Sequence, residues 1–568
     1  MRLFYTLILL IIGSNFGFSQ SVGIVLNHDS YRILDRLEIK SGQLNTSYHS
    51  TMKPIDRLGA TQFVQKIDTA SDCDLSDVDI ENIDFMYEEN MEFSEKGRQK
   101  TRKPLLKIFY KHPAYLFHVD IPKFQMLVNP VIAVKFGYDT DKKGGGFKFE
   151  NVRGAEIRGN VDNIFGFYAY ITTKQAKFPG YVTEKIDSNK AIPSAGYYKP
   201  FKSNGYDFFV GRGSVSLTPT EHISFQFGYD KNFIGDGYRS LFLSDWGNDY
   251  LFLKVNTRVW KLNYTNIFAE LIAEYPRRQD TVLTKKYMAV HHLSIAPTRW
   301  LSLGIFESTV FSRPDVFELQ YLNPVIFYRS IEQALGSPDN VVLGVNFKAN
   351  FAKHFSLYGQ FLLDELNFKE EFDFGETDNG FFYELTHPKR WWGTKFATQL
   401  GLKYIDAFGV DNLDFQLEGN MSRPYTYQHY DKITTFTHYN QPLAHPLGAN
   451  FTELIAIVNY QPIRELNMNL KYIHSIYGAD SSGSNWGSNP TFDYTTREEE
   501  FGNYVQQGVK TKYNYAELAV SYQPWHGIYW DLNYVFRKVN SELDFNDRTT
   551  HFIQTGFRVN IPYKSFDY

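Results

Sequence analysis

Few residues in this chain combine types and spacings that could do chemistry. "GDGYRSLFLSDWGND" (Gly235–Asp249) sets Arg239, Asp245 and Trp246 among glycines. A phosphate cradle leads straight into a helix N-terminus, but the next residues, "YLFLKVNTRVW", read as a strand. The stretch is therefore expected to join two strands, as a long connection on the extracellular side or folded into the lumen. Asp364–Glu365 is a carboxylate pair suited to acid–base work, placed at the polar end of a strand, where solvated carboxylates are the default. His291–His292 could ligate a metal, although neighbours on a strand point to opposite faces. His429, His438 and His445 share one polar connection. The acidic run Asp68–Asp79 lacks the central glycine and closing glutamate of a calcium loop, and it precedes a helix, whose dipole favours acidic residues. Cys73 is the sole cysteine, which excludes an intrachain disulfide and a thiolate metal cluster. The reading names no catalytic residue, no metal site and no cofactor.

The aromatic clusters offer more. Sugars stack C–H faces on aromatic rings while their hydroxyls bond Asn, Asp and Arg. The candidate saccharide contacts are Arg239, Asp245, Trp246, Trp391, Trp392, Tyr425, Tyr427, Tyr430 and Trp486. The plainer alternative is a girdle at a membrane boundary, or loops packing on one another.

The elements that must position these residues follow from period. Residues 1–20 carry Arg2, an apolar core from Leu3 to Ile12 and a small, polar end, the pattern of a cleaved export signal. Residues 21–123 are expected to form about three helices, over His28–Lys40, Pro54–Asp68 and Ser76–Phe93. Ser76 and Asp79 are spaced for a capping box, and the linker Ser94–Pro104 closes the region. From Phe124 the period falls from 3.6 to 2. In "EHISFQFGY" (Glu221–Tyr229), Ile223, Phe225, Phe227 and Tyr229 share one face; "NLDFQLEG" and "GIYWDLNYVFR" alternate likewise.

Tight turns, such as "TPTE" and "QPIRE", alternate with long polar connections, among them Ser312–Asn340, Glu365–Lys395, Ser422–Asn450 and Tyr477–Lys510. Outer-membrane barrels alternate short periplasmic turns with long extracellular loops in this way. The fold expected over 124–568 is a mainly β, transmembrane antiparallel β-barrel of about eighteen strands, with the helices as a small plug. Phe557, Val559, Ile561 and Tyr563 should face outward on the last strand. The chain ends in the aromatic Tyr568, as barrels delivered to the outer-membrane insertion machinery often do. With 59 basic and 63 acidic residues, nothing suggests a nucleic-acid partner.

"GDGYRSLFLSDWGNDYLFLKV" (Gly235–Val255), Tyr321–Glu365 and "RWWGTKFATQLGL" (Arg390–Leu402) resemble segments of the capsule-assembly (Wzi-type) outer-membrane family. "LNHDSYRILDRLEIKSG" (Leu26–Gly42) looks like its gliding-motility RemB-like branch. The resemblance implies an eighteen-stranded barrel in the outer membrane of a Gram-negative bacterium, its periplasmic side closed by the N-terminal helices. It implies a role in retaining or assembling surface polysaccharide, within a gliding system or apart from one; no enzyme activity is expected, since no convincing pair of nucleophile and base stands in the sequence. No family residue is carried over individually. The alternative from a different class is an outer-membrane channel or porin-like transporter, since an unplugged barrel of this size holds an aqueous pore.

Overall fold

The computed structural model describes residues 22–568 except 72, 100–109, 111, 163, 275–282, 314–317, 326, 337–338, 373–387, 482 and 544–546. The expected export signal lies outside the described residues, as does the end of the expected linker.

Eighteen antiparallel strands close into one barrel. In chain order they are β1 (Phe124–Asp139), β2 (Gly146–Val161), β3 (Phe165–Lys177), β4 (Gly205–Thr220), β5 (Ile223–Asp230) and β6 (Tyr250–Val259). Next come β7 (Leu262–Ile272), β8 (Lys285–Ile295), β9 (Leu301–Phe311), β10 (Asn340–Phe351), β11 (Phe355–Glu365) and β12 (Lys395–Tyr404). The ring ends with β13 (Leu413–Ser422), β14 (Phe451–Ile463), β15 (Leu466–Ala479), β16 (Val509–Trp525), β17 (Ile528–Ser541) and β18 (Arg548–Val559). It closes where β18 pairs with β1, Val559 opposite Ile132. Short turns gather at one rim and long connections at the other, as the spacing predicts. Alternation sets the faces: Trp530, Leu532 and Tyr534 of β17 are exposed to the outside, while Asp531 and Asn533 are buried within. No helix among the described residues is long and apolar enough to cross a membrane; the wall of strands presents the apolar surface.

Among the described residues, three long helices precede the barrel: α1 (Asp29–Ser41), α2 (Arg57–Thr69) and α3 (Asp77–Glu89). Each has a side-chain N-cap, from His28, Asp56 and Ser76 in turn, and Ser76 and Asp79 form the expected capping box. Gly42 ends α1 at φ 64°, a left-handed position that suits glycine. Their apolar faces meet in one cluster that includes Ile33, Leu37, Phe63, Val64, Ile83 and Met86. Ser94–Gln99, expected as linker, instead holds a short helix, Glu95–Arg98.

The helices dock at the short-turn rim through charge. Arg36 donates to Asp79 of α3 at 2.8 Å and to Asp406 and Asp414 of the barrel. Lys40 pairs with Asp406 at 2.9 Å. Lys348 reaches Glu38 at 2.9 Å, and Lys403 reaches Asp35 at 2.7 Å. In the β16–β17 turn, His526 bonds Glu88 at 3.1 Å and Glu89 at 2.9 Å.

Two expectations need correction, and one alternative is decided. Gly235–Asp249, expected on the outer side or folded into the lumen, folds down into the lumen. Phe233–Ile234 pairs with Met52–Lys53 there. Glu418, inward on β13, accepts from the backbone of Tyr238 at 2.6 Å and Arg239 at 3.0 Å. That approach explains Gly237, where a Cβ would lie 2.5 Å from the Glu418 carboxylate. Ile561 and Tyr563, expected outward, turn inward because the chain leaves the sheet after β18. Tyr563 donates to Glu517 at 2.5 Å, and Asp567 pairs with Lys471 at 2.7 Å and Arg239 at 3.1 Å. Finally, the Ser312–Asn340 connection does not rise over the mouth. Tyr321 and Tyr328 pack with Ala289 and Phe311 on the outer side of β8 and β9. Period alone places strands; it does not say whether a connection goes up, inside or down.

Candidate functional site

At the long-connection rim, Lys389–Thr394, the β13–β14 connection and the β15–β16 connection interlock into a cap. Asn450 is its hub. Its amide donates to the carbonyls of Gly478 at 2.9 Å and Gln507 at 2.8 Å, and accepts from Gln506 N at 2.6 Å. Asp480 folds the β15–β16 connection back by accepting from Trp486 N at 2.7 Å and Asn489 N at 2.9 Å. Asn485 joins the connections, its side chain accepting from Gln428 at 3.1 Å and donating to Asp493 O at 2.9 Å. Tyr425 and Tyr427 hold left-handed φ values of 64° and 72°. Such strain persists only when the surroundings over-determine it. Here Tyr425 N donates to Gly487 O at 2.9 Å, and Tyr427 N donates to Asp364 at 2.6 Å.

Inside the cap the two tryptophans both donate to Glu500, Trp391 at 3.1 Å and Trp392 at 2.9 Å. The Arg497 guanidinium lies 4.3 Å from the Trp392 ring. Trp392 is only 7% exposed, so its faces are already occupied. Four other rings project outward: Tyr430, 43% exposed, and Phe492, Phe501 and Tyr504, the last 55% exposed. A bridge between His429 and Asp493 brings the segments carrying Tyr430 and Phe492 side by side. These outer rings are the part of the cap that can stack on a ligand in solution.

The sequence candidates thus fall into three places. Arg239, Asp245 and Trp246 are in the lumen: Asp245 accepts from Asn27 at 2.7 Å, and Trp246 lies edge-on to Tyr568 at 4.5 Å. Trp391, Trp392, Tyr425 and Trp486 build the inside of the cap. Tyr427 links the two, its hydroxyl donating to Leu241 O of the luminal insert at 2.8 Å. Tyr430 stands on the outside. Sequence reasoning missed Phe492, Phe501 and Tyr504. Their signal is the same as that of the candidates above, aromatic residues between polar ones in a long connection.

The other chemical candidates have structural partners. Lys395 bridges Asp364 at 3.2 Å and Glu365 at 3.1 Å. His438 accepts from Ile272 N at 2.9 Å and bonds Asp249 O at 3.1 Å, and burial holds its pKa down to about 4. His445 bonds Glu453 at 2.7 Å. Burial, with Lys395 nearby, pushes His429 down to about 3. Among the described residues, no group of three or more His, Cys, Asp or Glu side chains is placed to hold a metal ion.

No protein-family model matches the chain, and no curated protein matches it in sequence. Solved structures do match. Wzi of Escherichia coli, described as an outer-membrane protein involved in group 1 capsule assembly and a carbohydrate-binding β-barrel, aligns at TM-score 0.54 and 12% identity. The alignment covers 96% of this chain and 100% of that one. OprD of Pseudomonas aeruginosa aligns at TM-score 0.39 and 11% identity, over 76% of this chain and 95% of that one. A BenF-like porin of Pseudomonas fluorescens aligns at 0.41 and 7%, over 76% and 99%. At these identities the likeness to Wzi is one of fold.

Proposed function

We propose that this chain is a non-enzymatic outer-membrane barrel that retains or helps to assemble surface polysaccharide, with the outer rings of the cap as its contact face. The observation that carries the reading is the filled lumen. The helices, the insert Lys231–Asp249 and the last residues all bond inward-facing side chains of the wall, which leaves a barrel suited to display rather than to flux. The fold shared with Wzi, a barrel described as carbohydrate-binding, supports the same reading. A polar cavity of about 430 Å³ remains between these elements, lined by Asn27, Arg32, Asp236, Gln416 and Lys471 among others. It is the observation that keeps a channel as the second reading.

Two measurements on the purified mature protein separate them. Under the proposal, glycan arrays or capsule pull-downs show binding, and planar bilayers show no large steady openings. Steady conductance without glycan binding overturns it in favour of a channel. A deletion strain scored for surface polysaccharide and for gliding then assigns the pathway: loss of capsule supports retention, whereas loss of gliding alone supports a motility role.

A further inference from the structure

The outer wall at β7–β9 differs from the rest of the barrel. Asn266, His291 and Glu307 sit side by side in one row, Asn266 opposite His291 and His291 opposite Glu307. All three point outward, on the same faces as the exposed Leu293 and Ile305 two residues along. Elsewhere large apolar side chains dominate that face, because charge facing lipid is destabilising. Yet the three are buried: His291, Glu307 and Asn266 are each under a tenth exposed.

What buries them is the β9–β10 connection. Its descending limb sets Tyr321 against Phe311, ring centroids 4.6 Å apart. At its tip, Pro324 O accepts from the hydroxyl of Tyr264, two residues above the short-turn rim. It returns as the helix Tyr328–Leu335. There Tyr328 lies 4.0 Å from the His291 ring, and Arg329 N donates to Glu307 at 3.3 Å. The described residues of the connection therefore lie along the wall, from Phe311 down to Tyr264 and back to His291 and Glu307. Three large apolar side chains of the connection are exposed, Val325 at 85%, Leu319 at 71%, and Phe327, beside exposed polar Gln320, Asn323 and Ser330. Asn323 satisfies its own turn by accepting from Val325 N at 3.1 Å. Arg329, beside Tyr328, is also exposed, and a long basic side chain can extend toward the interface.

We infer that this connection is a membrane-embedded strap: it replaces the polar strip of β7–β9 as the barrel's lipid-facing surface, and Leu319, Val325 and Phe327 meet the acyl chains. Its surface is continuous with the exposed Leu293, Leu303 and Ile305 of the same strands. That continuity selects lipid as the occupant over a second copy or another protein.

The test uses the full chain with Cys73→Ser and a single fluorescent label at Val325→Cys or Leu319→Cys, reconstituted in phosphatidylcholine vesicles. Leu303→Cys serves as the wall control and Tyr504→Cys as the water control. Lipids brominated along their acyl chains should quench the strap labels at least half as strongly as the Leu303 label, and aqueous iodide should quench them several-fold less than the Tyr504 label. Quenching by iodide alone places the connection in water and overturns the inference. Quenching by neither shows a protein cover and overturns it equally. Heat-modifiable migration of each labelled protein confirms that the barrel has folded before either result is read.

Discussion

Arg36 is the single residue on which the docking of the helices most depends, and Arg36→Met tests how the short-turn rim is closed. The guanidinium is 98% buried and faces three carboxylates, Asp79, Asp406 and Asp414. Methionine keeps much of the volume and removes the charge, leaving Lys40 to serve Asp79 and Asp406 while Asp414 loses its ion pair. Breaking a buried pair by removing one partner costs about 3–5 kcal/mol, because the remaining charge is stranded. Each 1.4 kcal/mol is a factor of ten, so the undocked fraction should rise by roughly two to three orders of magnitude. Cleavage by dilute protease tracks that fraction when reclosing outpaces cutting. Trypsin should therefore cut between α1 and α3 at least about 100-fold faster in the variant. The barrel band on unheated gels should stay unchanged, since the strand ladder does not use Arg36. Adding Asp414→Asn should recover part of the loss by removing the stranded charge. A cleavage rate within threefold of the parent would refute the reasoning: the helices would then be held by apolar contact alone.

Four further outcomes follow from the same geometry. Burial alone would raise the pKa of Asp79, but Arg36 and Lys40 outweigh it and hold the group at about 2. Its contribution is complete above pH ~4, the unfolded value, and is lost as pH falls toward 2, so protease protection of α1–α3 should fade over that interval and persist at neutral pH. Arg239→Met should leave Asp567 to Lys471 and loosen the luminal insert, seen as conductance absent from the parent and a lower unfolding temperature; a silent bilayer with unchanged melting would count against an Arg239–Asp567 latch. Tyr504→Ser should weaken glycan binding by up to about tenfold, the range of one aromatic contact, without altering melting. Trp392→Ala should instead destabilise the cap, by about 3–5 kcal/mol if it behaves as a core truncation.

The strands and the three N-terminal helices were legible because their signals are local. Ile223, Phe225, Phe227 and Tyr229 declare a half-exposed strand within nine residues, and Ser76 with Asp79 declares a helix start within four. The luminal insert was not legible in the same way, since a glycine-rich aromatic connection has the same period over the mouth or within it. Its trace lies elsewhere in the chain: Leu241, Phe242 and Leu243 form an apolar triplet, and they are completely buried. Gln360 and Glu418 are inward polar residues that take backbone partners from the insert. The strap left a similar trace, His291 and Glu307 on faces where lipid contact would require apolar residues. The inward turn of Ile561 and Tyr563 left none, because alternation continues through them after the ladder stops. For the cap, sequence identified the connections but not which rings face out, which depends on pairings such as Trp392 with Glu500 across distant segments.

The seam of the barrel carries a consequence for assembly. β18 meets β1 there, and both strands are tethered to the contents of the lumen: the helices enter just ahead of β1, and the residues after β18 run inward to Arg239 and Lys471. The chain that completes the seam therefore also completes the interior, where Phe566 packs with Phe178 and Tyr568 with Trp246.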